Sequence, residues 1–169
     1  MLPTKALYLI MKEAIPNSIE RYEDDFETRL KTQKFIYLFD QIWGEDSYCH
    51  SWYLAGPYSS VLTHQIYNEL LPLLNENKTT WDDLKLSDYA KDTIEQVKSL
   101  ISNVQRKAKN LSESSTYELV ASVWYIAEKK NGFDECGIKN ELVLNKPHFK
   151  SVDNLDQIIH LVTETKTGE

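Results

Sequence analysis

The sequence predicts a mainly α protein: a compact helical domain with one short strand or hairpin and a C-terminal three-helix, helix-turn-helix-like subdomain. Three observations carry this prediction. Apolar residues recur at three- and four-residue spacing along most of the chain, capping residues stand where that spacing starts and stops, and two-residue alternation is confined to Tyr48–Leu54. With 169 residues, 41% of them hydrophobic, the chain is long enough to bury one core of its own.

The first helix is expected from Pro3 to Ala14, with Pro3 tolerated in the opening turn and Pro16 beyond the end. From Asp25 to Trp43 the apolar residues Phe26, Leu30, Ile36, Tyr37, Phe39 and Trp43 are spread around the helix, which suits a central position buried on more than one side. Gly44 closes it. Tyr48–Leu54 then alternates, with Tyr48, His50, Trp52 and Leu54 on one side, and reads as a short strand leading to a turn at Gly56-Pro57. Ser59 or Ser60 caps a helix expected to run to Leu71, where Pro72 stops it.

Residues 75–87 are polar and turn-rich, yet Trp81, Leu84 and Leu86 are expected to dock this loop onto the body. Ser87 then caps a long helix whose stripe of Ile94, Val97, Ile101, Val104 and Ala108 ends near Asn110. Residues 110–115 form the best internal boundary, dividing a helical body, 1–110, from a C-terminal helical subdomain, 111–169, packed as one domain. Ser115 and Glu118 have capping-box spacing ahead of a buried helix ending at Lys129-Lys130-Asn131-Gly132. A short helix from Asp134 to Leu144 follows, Lys146-Pro147-His148-Phe149 breaks it, and Val152, Leu155, Ile158, Ile159 and Val162 mark the last helix.

Nineteen basic residues against 26 acidic give a net charge of -7, which disfavours general nucleic-acid binding. Two basic concentrations, Arg29-Lys31-Lys34 and Lys98-Arg106-Lys107-Lys109, are accounted for by complementing helix dipoles. A DNA-reading helix at residues 152–162 offers Asn154 and Gln157 but little positive charge, so a transcriptional regulator using the C-terminal helices is the alternative reading. No apolar run approaches the length of a membrane span, and Lys12 and Glu13 end the apolar stretch near the amino terminus without a cleavage site. A cytoplasmic location follows, in which the sequons at Asn77 and Asn110 carry no glycan and Cys49 and Cys136 are buried thiols rather than a disulfide framework.

Enzymatic chemistry finds few handles. There is no glycine-rich phosphate loop, nucleophile elbow, CxxC pair or pair of histidines at metal spacing on one helix, so no catalytic residue, cofactor or metal is expected. An enzyme would need a pocket that brings distant residues such as Asp40, His50 and His64 together.

The informative cluster runs from Arg29 to Tyr67. Gln33 and Tyr37 lie one turn apart with Lys34 beside them, and a Gly-Pro turn leaves backbone groups that a buried glutamine can satisfy. Alternatively, backbone N–H groups at the Ser59 helix start form, with Arg29, Lys34 and Tyr58, a pocket for a carboxylate or phosphate. Arg29, Gln33, Lys34, Tyr37, Tyr58, Ser59 and Ser60 are therefore the expected partner-binding residues.

The text of this cluster, Lys31-Thr32-Gln33-Lys34 followed by Tyr53-Leu54-Ala55-Gly56-Pro57-Tyr58-Ser59, with Lys146-Pro147-His148-Phe149 near the end, resembles the YwgA-like family of uncharacterised prokaryotic proteins. More distantly it is similar to the SocA-like, or Panacea, antitoxin domain, which has a Leu-Gln-Lys-Leu-x-Tyr helix and a Gly-Pro turn at comparable separation. That resemblance implies a non-enzymatic interaction protein that neutralises a partner, such as a toxin, or serves as an adaptor for degradation. A toxin–antitoxin or phage-defence setting is the corresponding expectation.

Overall fold

The computed structural model describes residues 1–77, 81, 83–130 and 134–168. It is mainly helical, with one short antiparallel hairpin. In chain order the elements are α1 (Thr4–Ala14), α2 (Ser18–Arg21), α3 (Phe26–Trp43), β1 (Ser51–Tyr53), β2 (Gly56–Tyr58), α4 (Ser60–Gln65), a π turn (Ile66–Leu70) and α5 (Leu71–Asn77). Then come α6 (Asp88–Lys107), α7 (Glu113–Lys129), α8 (Glu135–Asn145), a 3-10 turn (Pro147–Ser151) and α9 (Leu155–Thr167).

Helix α3 is the axis of the fold. Every residue from Thr32 to Asp40 is buried, because α6 and α7 cover two of its flanks and β2 lies on another. Its start is fixed by Asp25, whose carboxylate accepts from the Glu27 N–H at 3.1 Å and the Thr28 hydroxyl at 2.6 Å. Its end is fixed by Gly44 in the left-handed region at φ 86°, with its N–H returning to the Asp40 carbonyl. Helix α7 packs most extensively on α3 and also meets β2, α8 and α9, while α9 packs on α6 as well, so the C-terminal helices reach the body through both α7 and α6.

Several boundaries differ from the sequence expectation. The chain does not stop at Pro72: the helix continues to Asn77, and the turn just before the proline widens to a π turn. That widening accommodates a residue that lacks an N–H and crowds the preceding turn. The 75–87 segment falls partly outside the described residues. Trp81 docks as expected, its ring centroid 5.1 Å from that of Tyr8, and Leu86 packs on the core, whereas Leu84 is exposed. The capping residue of α7 is Ser112, whose hydroxyl accepts from Ser115 N–H at 3.2 Å. The capping box at Ser115 does not form, because α7 already starts at Glu113 and Ser115 lies in its first turn; Glu118 pairs with Lys146. Of the expected end of α7, Asn131 and Gly132 lie outside the described residues. Helix α2 has no periodic signal to betray its four residues, and α9 begins at Leu155 after left-handed Asn154 at φ 58°.

The alternation of 48–54 is obeyed for six residues. Tyr48 and His50 are buried and Trp52 half-buried, while Cys49, Ser51 and Tyr53 face out. Leu54 breaks it at 86% exposure, since it begins the two-residue turn joining β1 to β2, in which Tyr53 pairs with Gly56. Cys49 and Cys136 are exposed free thiols, not buried ones. Among the described residues no helix is long and apolar enough to cross a membrane.

Gly56 is where the hairpin approaches α7 most closely. At φ 85° it occupies the left-handed region, and a Cβ there would lie 2.7 Å from Ser122 Oγ. Gly44 has comparable φ but open space around it. Gly56→Ala is expected to cost at least about 2 kcal/mol and Gly44→Ala about 1 kcal/mol in urea denaturation, strain at φ being common to both and overlap only to the first. Equal losses would show that the contact with α7 is not tight.

Candidate functional site

The site is built where the buried polar side chains of α3 meet the hairpin and the start of α4. Gln33 brackets Ser59: its Oε1 accepts from Ser59 N–H at 2.9 Å, and its Nε2 donates to Ser59 C=O at 3.1 Å and to Thr63 Oγ1 at 2.9 Å. One amide thus satisfies both backbone groups of the residue that starts α4. Ser59 has no spare valence. Its hydroxyl donates to Tyr48 C=O at 2.6 Å and accepts from Leu62 N–H at 3.1 Å.

Two buried lysines tie the hairpin from opposite sides. Lys34 Nζ donates to Pro57 C=O at 2.6 Å, and Lys146 Nζ donates to Leu54 C=O and to Glu118 at 2.7 Å. Both side chains are about 2% exposed. Burial, offset in part by Glu118 and reinforced by Lys146, pulls the Lys34 ammonium down to about 7. At neutral pH it is as much a neutral amine donor as a cation.

Against this frame lies a cleft of about 380 Å³ lined chiefly by Tyr22, Phe26, Arg29, Tyr53, Tyr58 and Tyr67, with Gln33 and Lys34 in its wall. The rings are organised in pairs, Tyr22 with Tyr67 at 5.4 Å and Tyr53 with Tyr58 at 5.5 Å between centroids. Phe26, Tyr53 and Leu54 are exposed apolar side chains at its rim, 63%, 59% and 86% accessible. Arg29 lies across the Phe26 ring at 6.0 Å and donates to the carbonyls of Tyr22 and Glu23 at 3.0 and 2.7 Å. The cleft is therefore aromatic with one cationic flank, shaped for an apolar anchor bearing an acid beside it.

Of the residues expected at the site, the fold brings Arg29, Gln33, Lys34 and Tyr58 together around the cleft. Ser59 stands behind them, buried, as the capping residue that Gln33 holds. Ser60 is exposed at the first position of α4. Tyr37 points elsewhere: its hydroxyl donates to Glu128 at 3.3 Å and its ring meets His50 and Tyr125 at 5.2 and 6.1 Å. The anion pocket reading needs a change of emphasis, since Ser59 N–H and Lys34 already have partners and aromatic surface dominates.

Phe26, Tyr53, Leu54 and the Lys146–Glu118 pair escaped sequence reasoning. Phe26 and Leu54 carry a core signature in the sequence, but Phe26 is exposed at the first position of α3 and Leu54 in the turn between β1 and β2. The DNA-reading candidates are engaged within the fold: Asn154 donates to Lys107 C=O at 2.9 Å, and Gln157 accepts from Lys107 at 3.4 Å. Around them Lys139 pairs with Asp156, and His160 with Glu135 and Glu164.

The structure brings together Asp40 and His50, joined by Asp46, while His64 stays exposed beside Asn68. These three are the one group of metal-ligating side chains, three or more strong, found among the described residues. No protein-family model, curated protein or solved structure matches the chain.

Gln33→Leu is expected to lower stability by about 1–3 kcal/mol, because it leaves the buried Ser59 N–H without a partner, while the Ser59 carbonyl keeps the Thr63 N–H at 3.2 Å. Chemical denaturation that found a loss under 0.5 kcal/mol would refute the bracket. Lys34 gives a pH signature. With its folded-state value near 7 and an unfolded value of 10.5, the unfolded chain holds the extra proton between them, so stability rises with pH across that window and is flat in this term below it. The wild type is expected to gain roughly 1 kcal/mol relative to Lys34→Met between pH 7 and 8.5 in paired denaturation series. Parallel profiles would mean the ammonium is not desolvated.

Proposed function

We propose that this chain is a non-enzymatic, antitoxin-like or adaptor protein of the cytoplasm that binds and restrains a partner protein through the aromatic cleft of α3 and the hairpin. The observation that carries the reading is the ring of exposed apolar side chains, Phe26, Tyr53 and Leu54, around a preformed aromatic cavity flanked by Arg29. Such side chains leave water only when something covers them, and aromatic and arginine groups dominate the energetics of protein interfaces. The polar network beneath fixes their positions before binding, which lowers the ordering cost of association. The resemblance to the YwgA-like family and the Panacea antitoxin domain rests in part on this cleft and its frame, on Gln33, Lys34 and Tyr53 to Ser59, and it favours a toxin–antitoxin or phage-defence setting. The partner segment fitting this cleft carries a bulky apolar residue with a carboxylate nearby.

The engaged Asn154 and Gln157, the acid-paired C-terminal helices and the net charge of -7 favour protein over nucleic acid as partner. The test is affinity capture of the tagged chain from its native cell, with mass spectrometry and a parallel assay for nucleic acid. A stoichiometric protein partner is expected, retained by Ser60→Ala and weakened at least tenfold by Tyr53→Ala, Leu54→Asp and Arg29→Ala, each folded by circular dichroism. Undiminished capture by all three cleft variants, or recovery of nucleic acid alone, would overturn the reading.

A further inference from the structure

The carboxy-terminal end of α3 presents a different chemistry from the cleft. Asp40, the last of its run of buried residues, is fully buried, and His50, just ahead of β1, is 7% exposed. Between them the chain turns sharply, through left-handed Gly44 at φ 86° and left-handed Cys49 at φ 49°. A non-glycine residue held there costs about 1 kcal/mol or more, and such strain persists where the surroundings impose it. Here the two bends fold Asp46 and His50 back onto Asp40, so that one ligand atom of each lies within 4.8 Å of the others.

The polar atoms so gathered do not satisfy one another. Asp40 Oδ2 accepts from Ser47 N–H at 3.1 Å, but Asp40 Oδ1 is buried with no hydrogen-bond partner. Both ring nitrogens of His50 are likewise buried and without a hydrogen-bond partner, beside the Tyr37 and Tyr48 rings and in the field of Asp46 and of the Lys34 ammonium. Elsewhere on α3, by contrast, Thr28, Thr32, Gln33 and Lys34 all have hydrogen-bond partners. Each unpartnered buried group costs about 1–3 kcal/mol, and clustering three in one place is unusual in a native fold.

We propose that Asp40, Asp46 and His50 form a binding site for one divalent first-row transition cation of the zinc or manganese kind. Two carboxylate oxygens and an imidazole nitrogen are the donor set such ions take, whereas Ca²⁺ and Mg²⁺ favour all-oxygen sites and Cu(I) thiolates. Ligands about 2.1 Å from zinc lie roughly 3.4 Å from one another. The three donors therefore need to converge by at most about 1.4 Å; exposed Asp46 is free to move toward the other two, and buried Asp40 and His50 close their own gap by side-chain rotation. A cation would engage the orphaned oxygen and a ring nitrogen and neutralise two carboxylates brought close together. Asp40 and Asp46 also line a cavity of about 350 Å³ together with Glu128 and Lys166, with His50 lying outside its wall; on that side water or a further carboxylate would complete the coordination.

The full chain, stripped with chelator, is titrated by calorimetry with Zn²⁺ alone and with Mn²⁺ alone. One ion per chain is expected for at least one of the two metals, with micromolar or tighter affinity. Asp46→Asn is expected to weaken it at least tenfold and His50→Gln to abolish it, while His160→Gln, on the exposed His160–Glu135–Glu164 cluster, leaves it unchanged. Because Asp46 is exposed, its variant keeps the fold and remains informative should His50→Gln unfold. Co²⁺ added in place of zinc should give ligand-field absorption without a thiolate charge-transfer band. No binding of either metal, undiminished affinity in Asp46→Asn, loss in His160→Gln, or a charge-transfer band from Cys49 would each overturn the proposal.

Discussion

The two-point bracket between the Gln33 amide and Ser59 is the interaction on which the rest of the structure depends. A helix buried on all sides cannot carry a polar side chain without an assigned partner, and Gln33 is 3% exposed at its centre. Ser59 supplies a free donor because it stands at a helix start, where N–H groups lack intrahelical partners, and its carbonyl accepts from Gln33 as well as from the Thr63 N–H that opens α4. The match sets the distance from α3 to α4 and the register of the chain entering α4. It also frees the Ser59 hydroxyl to cap α4 and to reach back to Tyr48, so the ends of the 48–59 segment are pinned together.

With that segment fixed at its end, the hairpin hangs over α7 and needs its own anchors. Its strands are three residues each, too short to stand alone, and the carbonyls of Leu54 and Pro57 are taken by lysines from α3 and from the loop after α8. A single carboxylate, Glu118, serves Lys146 directly and Lys34 through the field. Two ammoniums and one carboxylate in a nearly dry space do not balance, and the imbalance is relieved at Lys34, whose proton is held loosely. The small hairpin thus stays rigid enough for Tyr53 and Leu54 to face solvent without collapsing onto the body.

Most of the helical layout is legible in the sequence because it rests on local rules: Asp25, Ser59 and Ser87 cap the helices they precede, Gly44 ends α3, and the apolar stripes fall where the core needs them. The Gln33 contribution is legible too, since a glutamine within an apolar helix and a Gly-Pro turn each lack something the other has. What local rules miss is set by partners distant in the chain. Ser115 and Glu118 have the spacing of a capping box, yet α7 already starts at Glu113 and Glu118 pairs with Lys146, 28 residues on. Leu54 alternates like a core residue but begins a turn, and Pro72 reads as a stop although a widened turn carries the helix past it. The 40–50 loop is opaque for a further reason: left-handed Cys49 is an exception to residue preference, visible only in the folded backbone.

The two ends of α3 illustrate how buried polar groups separate architecture from chemistry. Around Gln33 and Lys34 the side chains of α3 all find hydrogen-bond partners, with the Ser122 hydroxyl beneath Gly56 left over, and the surface above this frame is aromatic. Around Asp40 and His50 the same helix and the same core leave an oxygen and two nitrogens without partners, held close by a strained loop. A fold able to satisfy the first set had the means to satisfy the second, for instance with an asparagine or an apolar residue at either position. Retaining a carboxylate and an imidazole in that setting costs stability, and a group from outside the chain is the physical agent that returns it. One helix, buried from Thr32 to Asp40 and packed against α6 and α7, thus carries both arrangements, the closed network toward its start and the open one toward its end.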